Sequence, residues 1–343
     1  MGPEALPGQP GGPRRRQEDP GQVRHRGDRG GLPGYRTQIG EYSRTPILDV
    51  WYDQVEATDL VRLTEGSSSD DTKLDELIEK RARKRTSRGA SKKLTMVVDG
   101  ERRIKEKPPY RMHALSDFTE LLGEAITVYH ESTPDHLSSL LSRFNAVDVV
   151  QQVVGVGSVG MRVFLILNEE HVTHDPLFLQ VKQATASVYE QHLQPSTYGN
   201  HGSRVVHGQR LIQSASDMFL GWTSVDGYDF YVRQFRDGKV IPTGEMLAPR
   251  LPQFAYACGR VLARAHARSG DARAITDYLG GGKSSTAKGD KHGGKTQDSA
   301  KRDKVAEAFI SFAYAYADQN AADHAQLAKA VENGDIPSAP GWP

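Results

Sequence analysis

Cysteine is almost absent from this sequence, since Cys258 is the only one among 343 residues. No internal disulfide can therefore form, and a zinc site built from several cysteines is excluded. Charge is close to balanced as well, because 44 lysines and arginines face 43 aspartates and glutamates, for a net charge of +1. This balance argues against a globally basic nucleic-acid-binding protein.

Long apolar runs are missing too. No stretch approaches the ~18 apolar residues that a membrane span needs, and the N-terminus lacks the apolar core of a secretory signal. We therefore expect a cytoplasmic protein without a membrane partner. The hydrophobic content, 37% of the residues, is enough for a chain of this length to bury a sizeable core.

The first 34 residues differ from the rest in composition, with nine glycines, six prolines and six arginines. A segment so poor in apolar side chains cannot offset the entropy that ordering would cost, so we expect 1–34 to be disordered. Two alternatives stay open. The segment is an arginine-rich arm that contacts nucleic acid, or it is read from the wrong frame or start of a GC-rich gene.

Residues 35–145 read as a helical lead-in that contains one hairpin. Apolar spacing predicts a helix over 70–93, and Asp99-Gly100 is a hairpin turn signal. The basic end of that helix, 80–93, lacks the interleaved aromatic residues on which single-stranded nucleic acid stacks. A solvated helix face is the simpler interpretation, and we do not expect nucleic acid as a partner.

A glycine-rich motif lies near the start of the region 146–240. Val153 to Gly160 reads V-V-G-V-G-S-V-G and contains G-x-G-x-x-G. In a dinucleotide-binding fold such glycines open a helix, whereas here a β-rich run follows, so they predict a hairpin turn. A glycine-rich hairpin followed by a strand that ends in lysine, here Lys182, is how protein kinases hold ATP phosphates. The sequence thus predicts a nucleotide-binding sheet region.

The residue types of the motif suit that chemistry. Glycine lets the backbone approach phosphate oxygens closely, and lysine can bind phosphates while a glutamate holds it. Glu190 is the nearest glutamate to orient Lys182. The position two residues after the third glycine departs from the kinase pattern, which has valine there; here it is Arg162. The alternative is a purely structural turn, with Lys182 as a solvated charge. The expected phosphate contacts are Gly155, Gly157, Ser158 and Gly160.

The region 246–331 reads as helical, with a flexible Gly/Lys/Ser loop at 280–300. Gly289 to Thr296 in this loop match the phosphate-binding pattern G-x-x-x-x-G-K-[ST]. No buried strand precedes the match, so we interpret it as a coincidence in a low-complexity segment. The histidines near 200–210 have no third ligand at convincing spacing, and we expect no metal site built from them.

Several stretches share a wider pattern, and they are Val153–Gly160, Leu179–Lys182, Gly208–Leu211, Ser214–Asp217, Phe219–Trp222, Leu262–Asp271 and Ala315–Asn320. Together they resemble the bacterial family called domain of unknown function 2252, from about Tyr35 to the end apart from the loop near 283–300. Members of that family look kinase-like, and the resemblance implies ATP and Mg²⁺ as cofactors, with an unknown phosphate acceptor as a partner. In the family, G-D-x-H-x-x-N and D-F-D-like stretches precede the glycine hairpin, an order that resembles a permuted small-molecule kinase.

No residue before Gly155 matches G-D-x-H-x-x-N, so the chain offers no catalytic loop. We expect a truncated or misframed family member with an α+β, partial and permuted protein-kinase-like fold, in which a small antiparallel sheet packs against a helical region. The leading interpretation is a kinase-like ATP-binding protein, a phosphotransferase when intact, with weak or no turnover in this chain. The alternative is a non-catalytic regulatory or scaffold module with a structural glycine hairpin.

Overall fold

The computed structural model describes residues 30–54, 86–113, 125–235, 248–280 and 297–337. Several predictions fall outside these ranges. They concern the segment before Gly30 that is predicted to be disordered, the part of the predicted helix 70–93 that precedes residue 86, and the loop that contains Gly289 to Thr296.

The described residues belong to two compact units. The first unit takes the residues up to Arg44, those from 248 to Ala263, and those from Ala272 onward. The second unit takes the residues between Thr45 and 235, together with Arg264–Asp271.

Helices and antiparallel strands both occur, and the α+β class predicted from the sequence is confirmed. The helices of the described ranges are α1 (Gly31–Tyr42), α2 (Ile47–Tyr52), α3 (Ser87–Leu94), α4 (Asp135–Leu141), α5 (His201–Ile212), α6 (Leu251–Ser269), α7 (Ala272–Tyr278) and α8 (Gln297–Glu332), with a further helical segment at 125–131. The strands of the same ranges are β1 (Thr95–Val98), β2 (Glu101–Ile104), β3 (Arg111–His113), β4 (Phe144–Gln152), β5 (Val163–Glu170), β6 (Pro176–Ala184), β7 (Gly221–Val225) and β8 (Tyr228–Gln234).

Six strands of the second unit form one antiparallel sheet in the order β3-β4-β5-β6-β8-β7, and β1 and β2 form a separate hairpin. The inner strands β5 and β6 are buried on both faces, which is why each reads as a nearly continuous apolar run. One face packs in a cluster with Phe164, Leu179 and Phe230, and the other packs around Leu165 and Phe178. Successive residues of a strand thus belong to the clusters on opposite faces of the sheet, because side chains alternate between the faces of a pleated strand.

Both hairpins predicted from local turn signals are confirmed. Asp99 and Gly100 have positive φ angles of 52° and 86° in the turn between β1 and β2. The glycine motif lies between β4 and β5, which pair antiparallel. The sheet begins before the predicted 146–240, because β3 pairs with the end of β4.

Helix α5 is fixed to the sheet at its first turn. The side-chain oxygen of Asn200 accepts the backbone N–H of Ser203 (2.8 Å), which caps the helix. The amide nitrogen of Asn200 donates to Asp229 in β8 (2.7 Å), and the backbone N–H of His201 donates to the same carboxylate (2.7 Å). A single carboxylate on β8 therefore sets where α5 begins.

In the first unit, α1 and α6 approach each other closely at glycines. A Cβ at Gly34 would lie 2.2 Å from the carbonyl oxygen of Tyr256, and one at Gly259 would lie 2.1 Å from that of Gly31. Helix α1 thus includes residues 31–34, which the composition of the sequence predicts to be disordered. Composition cannot separate a glycine at a helix crossing from a glycine in a linker.

Helix α8 runs without a break for 36 residues. Its aromatic residues Phe309, Phe312 and Tyr316 are 52%, 67% and 64% exposed, and the last two rings stack with centroids 5.9 Å apart. The apolar positions on this helix are therefore not part of the described core.

Candidate functional site

The glycine motif forms a short loop between β4 and β5. One turn of 3-10 helix, Val156–Ser158, lies at its centre. The hydroxyl oxygen of Ser158 accepts the backbone N–H groups of Val154 (2.9 Å) and Gly155 (3.1 Å), and the hydroxyl donates to the carbonyl of Gly155 (2.7 Å). Two of the predicted phosphate contacts, Gly155 and Ser158, therefore bond to each other in this conformation.

The backbone requires glycine at only one of the three motif positions. Gly160 has a φ of +79°, a left-handed conformation that L side chains rarely adopt. Gly155 and Gly157 lie outside that region, and a Cβ at either would meet nothing within 4 Å. Because glycine adds entropy to the unfolded chain, alanine at these two positions would serve the fold as well or better. The fold thus gives no reason for Gly155 and Gly157.

Lys182 lies in β6, opposite Val163 of β5 on one side and Tyr231 of β8 on the other. Val163 is the first residue of β5 and follows Gly160 by three positions, so Lys182 stands level with the end of the glycine loop. Directly paired residues share a face of a sheet, so Lys182 and Tyr231 lie on the same face. The lysine is half-buried.

Glu190 belongs to one turn of 3-10 helix, Val188–Gln191, that precedes α5. Its carboxylate accepts the backbone N–H of Ser187 (3.2 Å), while the Ser187 hydroxyl accepts that of Tyr189 (3.3 Å), as in a capping box. Helix α5 itself reads HGSRVVHGQRLI and contains no acidic residue. Orientation of Lys182 by Glu190 stays a prediction, and the described contact of Glu190 is this cap.

Arg162 replaces the valine of the kinase pattern and is exposed. Its guanidinium carbon lies 3.7 Å from the centre of the Tyr228 ring, within cation–π range. The backbone N–H of Arg162 donates to the side-chain oxygen of Gln183 (3.1 Å), and its carbonyl accepts the backbone N–H of Gln183 (2.9 Å). Val163, only 2% exposed, takes the buried position instead. The departure is therefore a shift of the buried valine by one residue.

Two polar residues that the motif did not include lie on the same sheet face as Lys182. Gln180 is 1% exposed, and its side-chain oxygen accepts hydrogen bonds from Nε (3.2 Å) and Nη2 (3.1 Å) of Arg233 on β8. Its Nε2 group is buried without a hydrogen-bond partner among the described residues. An unsatisfied buried donor costs about 1–3 kcal/mol. The available signal in the sequence was a glutamine inside the apolar run Leu177–Val181.

His207 of α5 is held by aromatic contacts. The His207 ring stacks on Tyr198 with centroids 4.9 Å apart and meets Trp222 at 5.3 Å. In the part of the chain that the structure describes, no group of three His, Cys, Asp or Glu residues could hold a metal ion. Over the same residues, no helix combines the length and apolarity that crossing a membrane requires.

Comparison with known proteins gives a family but no activity. No curated protein and no solved structure matches the chain. Residues 30–330 match the model of a family described as "Uncharacterized protein conserved in bacteria", domain of unknown function 2252. The matched range covers most of the chain and contains the glycine loop, Gln180, Lys182 and Arg233. The chain therefore belongs to this uncharacterised bacterial family.

Proposed function

We propose that this protein binds ATP through the glycine loop and Lys182. The observation that carries the proposal is the strand register, in which Lys182 is paired with Val163, the first residue of β5 after the loop. The same loop has glycine at 155 and 157, where the fold does not require it. A phosphate group that approaches the backbone and meets a cation would use both features.

The order of the elements supports the same proposal. In protein kinases a glycine-rich loop covers the phosphates, a strand lysine binds them, and a glutamate from a helix holds the lysine. Here the loop is followed by Lys182 on β6 and then by α5, which begins at the carboxylate of Asp229 on β8. The kinase-like architecture is thus part of the proposal, and the absence of an acid from α5 is its main departure.

Phosphate binding would exchange the hydrogen bonds inside the loop. The Ser158 hydroxyl oxygen accepts two successive backbone N–H groups, those of Val154 and Gly155. Successive N–H groups of this kind form nests that bind anionic oxygens. A phosphate oxygen would replace the hydroxyl in the nest, and Ser158 would donate to the phosphate instead of to Gly155.

The proposal is binding with weak or no phosphoryl transfer. Transfer needs an acid that orients the acceptor hydroxyl and ligands that hold Mg²⁺. The sequence before Gly155 has no G-D-x-H-x-x-N stretch, and the described residues offer no cluster of three metal-binding side chains. We therefore assign Mg²⁺ no protein ligand and derive no step through it. The phosphate acceptor has no assigned site, and a cytoplasmic location remains a prediction.

Replacing Lys182 with alanine tests the proposal. Loss of one charged hydrogen bond of about 1.5–3 kcal/mol predicts a fall in ATP affinity of roughly 10- to 100-fold, with the fold intact. Calorimetric titration measures the affinity, and thermal denaturation checks the fold. Lys93→Ala, at the exposed end of α3, is the matched control and should bind as wild type. Equal affinity of the two variants would reject the role of Lys182.

The second candidate function is a non-catalytic regulatory or scaffold module, and the closure of the loop by Ser158 favours it. A loop that satisfies its own hydrogen bonds needs no ligand to be stable. This candidate predicts no ATP binding by the wild-type protein. Titration of the wild type with ATP therefore separates the two candidates before any variant is made.

A further inference from the structure

Arg233 provides a second cation on the sheet face that holds Lys182. Gln180 of β6 is paired with Arg233 of β8, and Lys182 is paired with Tyr231, two residues along the same strand. Diagonal neighbours of this kind lie about 7–8 Å apart, within reach of long side chains. Both cations are half-buried. Two positive charges therefore stand side by side at the end of the sheet where the glycine loop emerges.

The partners of Arg233 do not neutralise its charge. Among the described residues no carboxylate pairs with Arg233, and its guanidinium donates twice to the neutral side-chain oxygen of Gln180. This contact leaves the Gln180 Nε2 group buried and, over the same residues, without an acceptor. Buried polar groups are almost always hydrogen-bonded. An unpaired amide nitrogen beside an arginine with no counter-charge among the described residues indicates an oxygen-rich partner that these residues do not supply.

Helices on this face flank Gln180 and Lys182 on either side. Helix α3 packs on β6 at Phe178, in the apolar cluster of that face. Helix α5 lies beyond the other end of β6, where Arg204 donates to the carbonyl of Thr185 (2.6 Å). Along β6, Gln180 and Lys182 stand between these two contacts.

We propose that Gln180, Arg233 and Lys182 bind two successive phosphate groups, so that the ligand is an oligophosphate such as a nucleoside di- or triphosphate. This inference rests on the ATP binding proposed above and adds two binding residues to it. Lys182 contacts one phosphate group. Arg233 contacts the other with N–H groups that its bond to Gln180 leaves unused, since a guanidinium has five. The Gln180 amide nitrogen donates to the same phosphate group.

The ligand would also supply the negative charge that α5 lacks. In protein kinases a glutamate on a helix pairs with the lysine, whereas α5 contains no acid. Two cations on neighbouring strands repel each other, and an anion that contacts both of them lowers this repulsion. We therefore expect affinity to depend on the number of phosphate groups and to fall as salt concentration rises.

Calorimetric titration with ATP, inorganic tripolyphosphate and AMP tests the inference. Wild-type protein should bind ATP and tripolyphosphate at least about tenfold more tightly than AMP, the factor expected from one added charged contact. Arg233→Met keeps the apolar stem and removes the charge. This variant should bind ATP and tripolyphosphate about tenfold or more weakly than the wild type does. Gln180→Met should also lower the affinity for both ATP and tripolyphosphate. Arg103→Met, in the exposed β1–β2 hairpin, is the matched control and should change neither.

Two results would overturn the inference: wild-type affinity for tripolyphosphate in folded Arg233→Met, or equal affinity of the wild type for ATP and AMP. If Arg233→Met does not fold, Arg233→Lys decides, because it keeps a charge and loses the two-pronged contact with Gln180. Its affinity for tripolyphosphate should fall, and an unchanged affinity would contradict the inference. ATP binding that depends on Lys182 but not on Arg233 removes this inference alone. No ATP binding by the wild type removes the proposed function as well.

Discussion

Single residues of the glycine loop differ in what they do for the fold. Gly160 takes up a left-handed conformation, whereas Gly155 and Gly157 do not and have open space where a Cβ would stand. If Gly155 and Gly157 serve ligand binding, alanine at either position should weaken binding without lowering stability. That contrast separates a phosphate loop from an ordinary turn.

Gly155→Ala and Gly157→Ala should leave the free energy of unfolding unchanged or raise it by about 0.4–1 kcal/mol, because the unfolded chain loses freedom. Both should weaken ATP binding. Gly160→Ala should lower the free energy of unfolding by about 1–2 kcal/mol, the cost of a left-handed L residue. Thermal denaturation and titration with a fluorescent ATP analogue measure the two properties. Wild-type ATP affinity in Gly155→Ala and Gly157→Ala would mean that no phosphate approaches these positions.

His113 gives the second unit a pH-dependent contact. Its Nδ1 lies 2.8 Å from Oε1 of Glu106, and its Nε2 lies 3.1 Å from Oδ2 of the buried Asp148. Burial alone would lower the pKa of His113, but the hydrogen bonds to Glu106 and Asp148 outweigh it and raise that pKa above 6.5. The folded protein therefore favours the charged imidazolium.

The stabilisation from His113 should be fully present below about pH 6.5, the value for an unfolded chain, and should be lost as pH rises through the raised pKa of the folded state. His113→Gln removes the titrating group. Wild type should therefore exceed this variant in unfolding free energy most at low pH. Urea denaturation between about pH 5 and 9 measures the difference. His136→Gln, at an exposed site, controls for the loss of a histidine. A difference that is constant with pH would contradict the prediction.

At the scale of elements, the close approach of α1 and α6 depends on Gly34. A Cβ there would lie 2.2 Å from the backbone carbonyl oxygen of Tyr256, so one of the helices must move. Gly34→Ala should lower the free energy of unfolding by about 1–3 kcal/mol, as overpacking does. Gly40→Ala in the same helix, where a Cβ meets nothing within 4 Å, should raise it by about 0.4–1 kcal/mol. Chemical denaturation compares the two, and equal stabilities would show that the helices do not pack this closely.

Elements set by neighbouring residues were predictable, and contacts between distant segments were not. Asp99-Gly100 and the glycine motif are local turn signals, and both turns occur where they were expected. The contact between Gln180 and Arg233 joins residues 53 positions apart, and it exists only through the register of β6 and β8. No spacing in the sequence specifies that register. The glycine loop and Lys182 were therefore predictable from the motif. Gln180 and Arg233 became candidates only once the pairing of β6 and β8 was known.

At the scale of the whole molecule, the balance of helix and strand was predictable, whereas the surroundings of each helix were not. The α+β class follows from alternating turn signals and apolar runs, and it is confirmed. The helical spacing of Phe309, Phe312 and Tyr316 indicates a helix correctly, yet these side chains are exposed on α8. The spacing of apolar residues shows which side chains share one face of a helix, because the helical geometry fixes that face. The spacing does not show whether another element packs against the face.

The six-stranded sheet places its shortest strands at its two edges. The edge strands β3 and β7 have three and five residues, while β4, β5, β6 and β8 inside the sheet have between seven and nine. An edge offers unpaired N–H and carbonyl groups on which another chain can add a strand, and short edges limit that opportunity. The long apolar strands that would aggregate most readily are thereby kept from neighbouring molecules. Once folded, the sheet should resist intermolecular strand pairing even in concentrated solution.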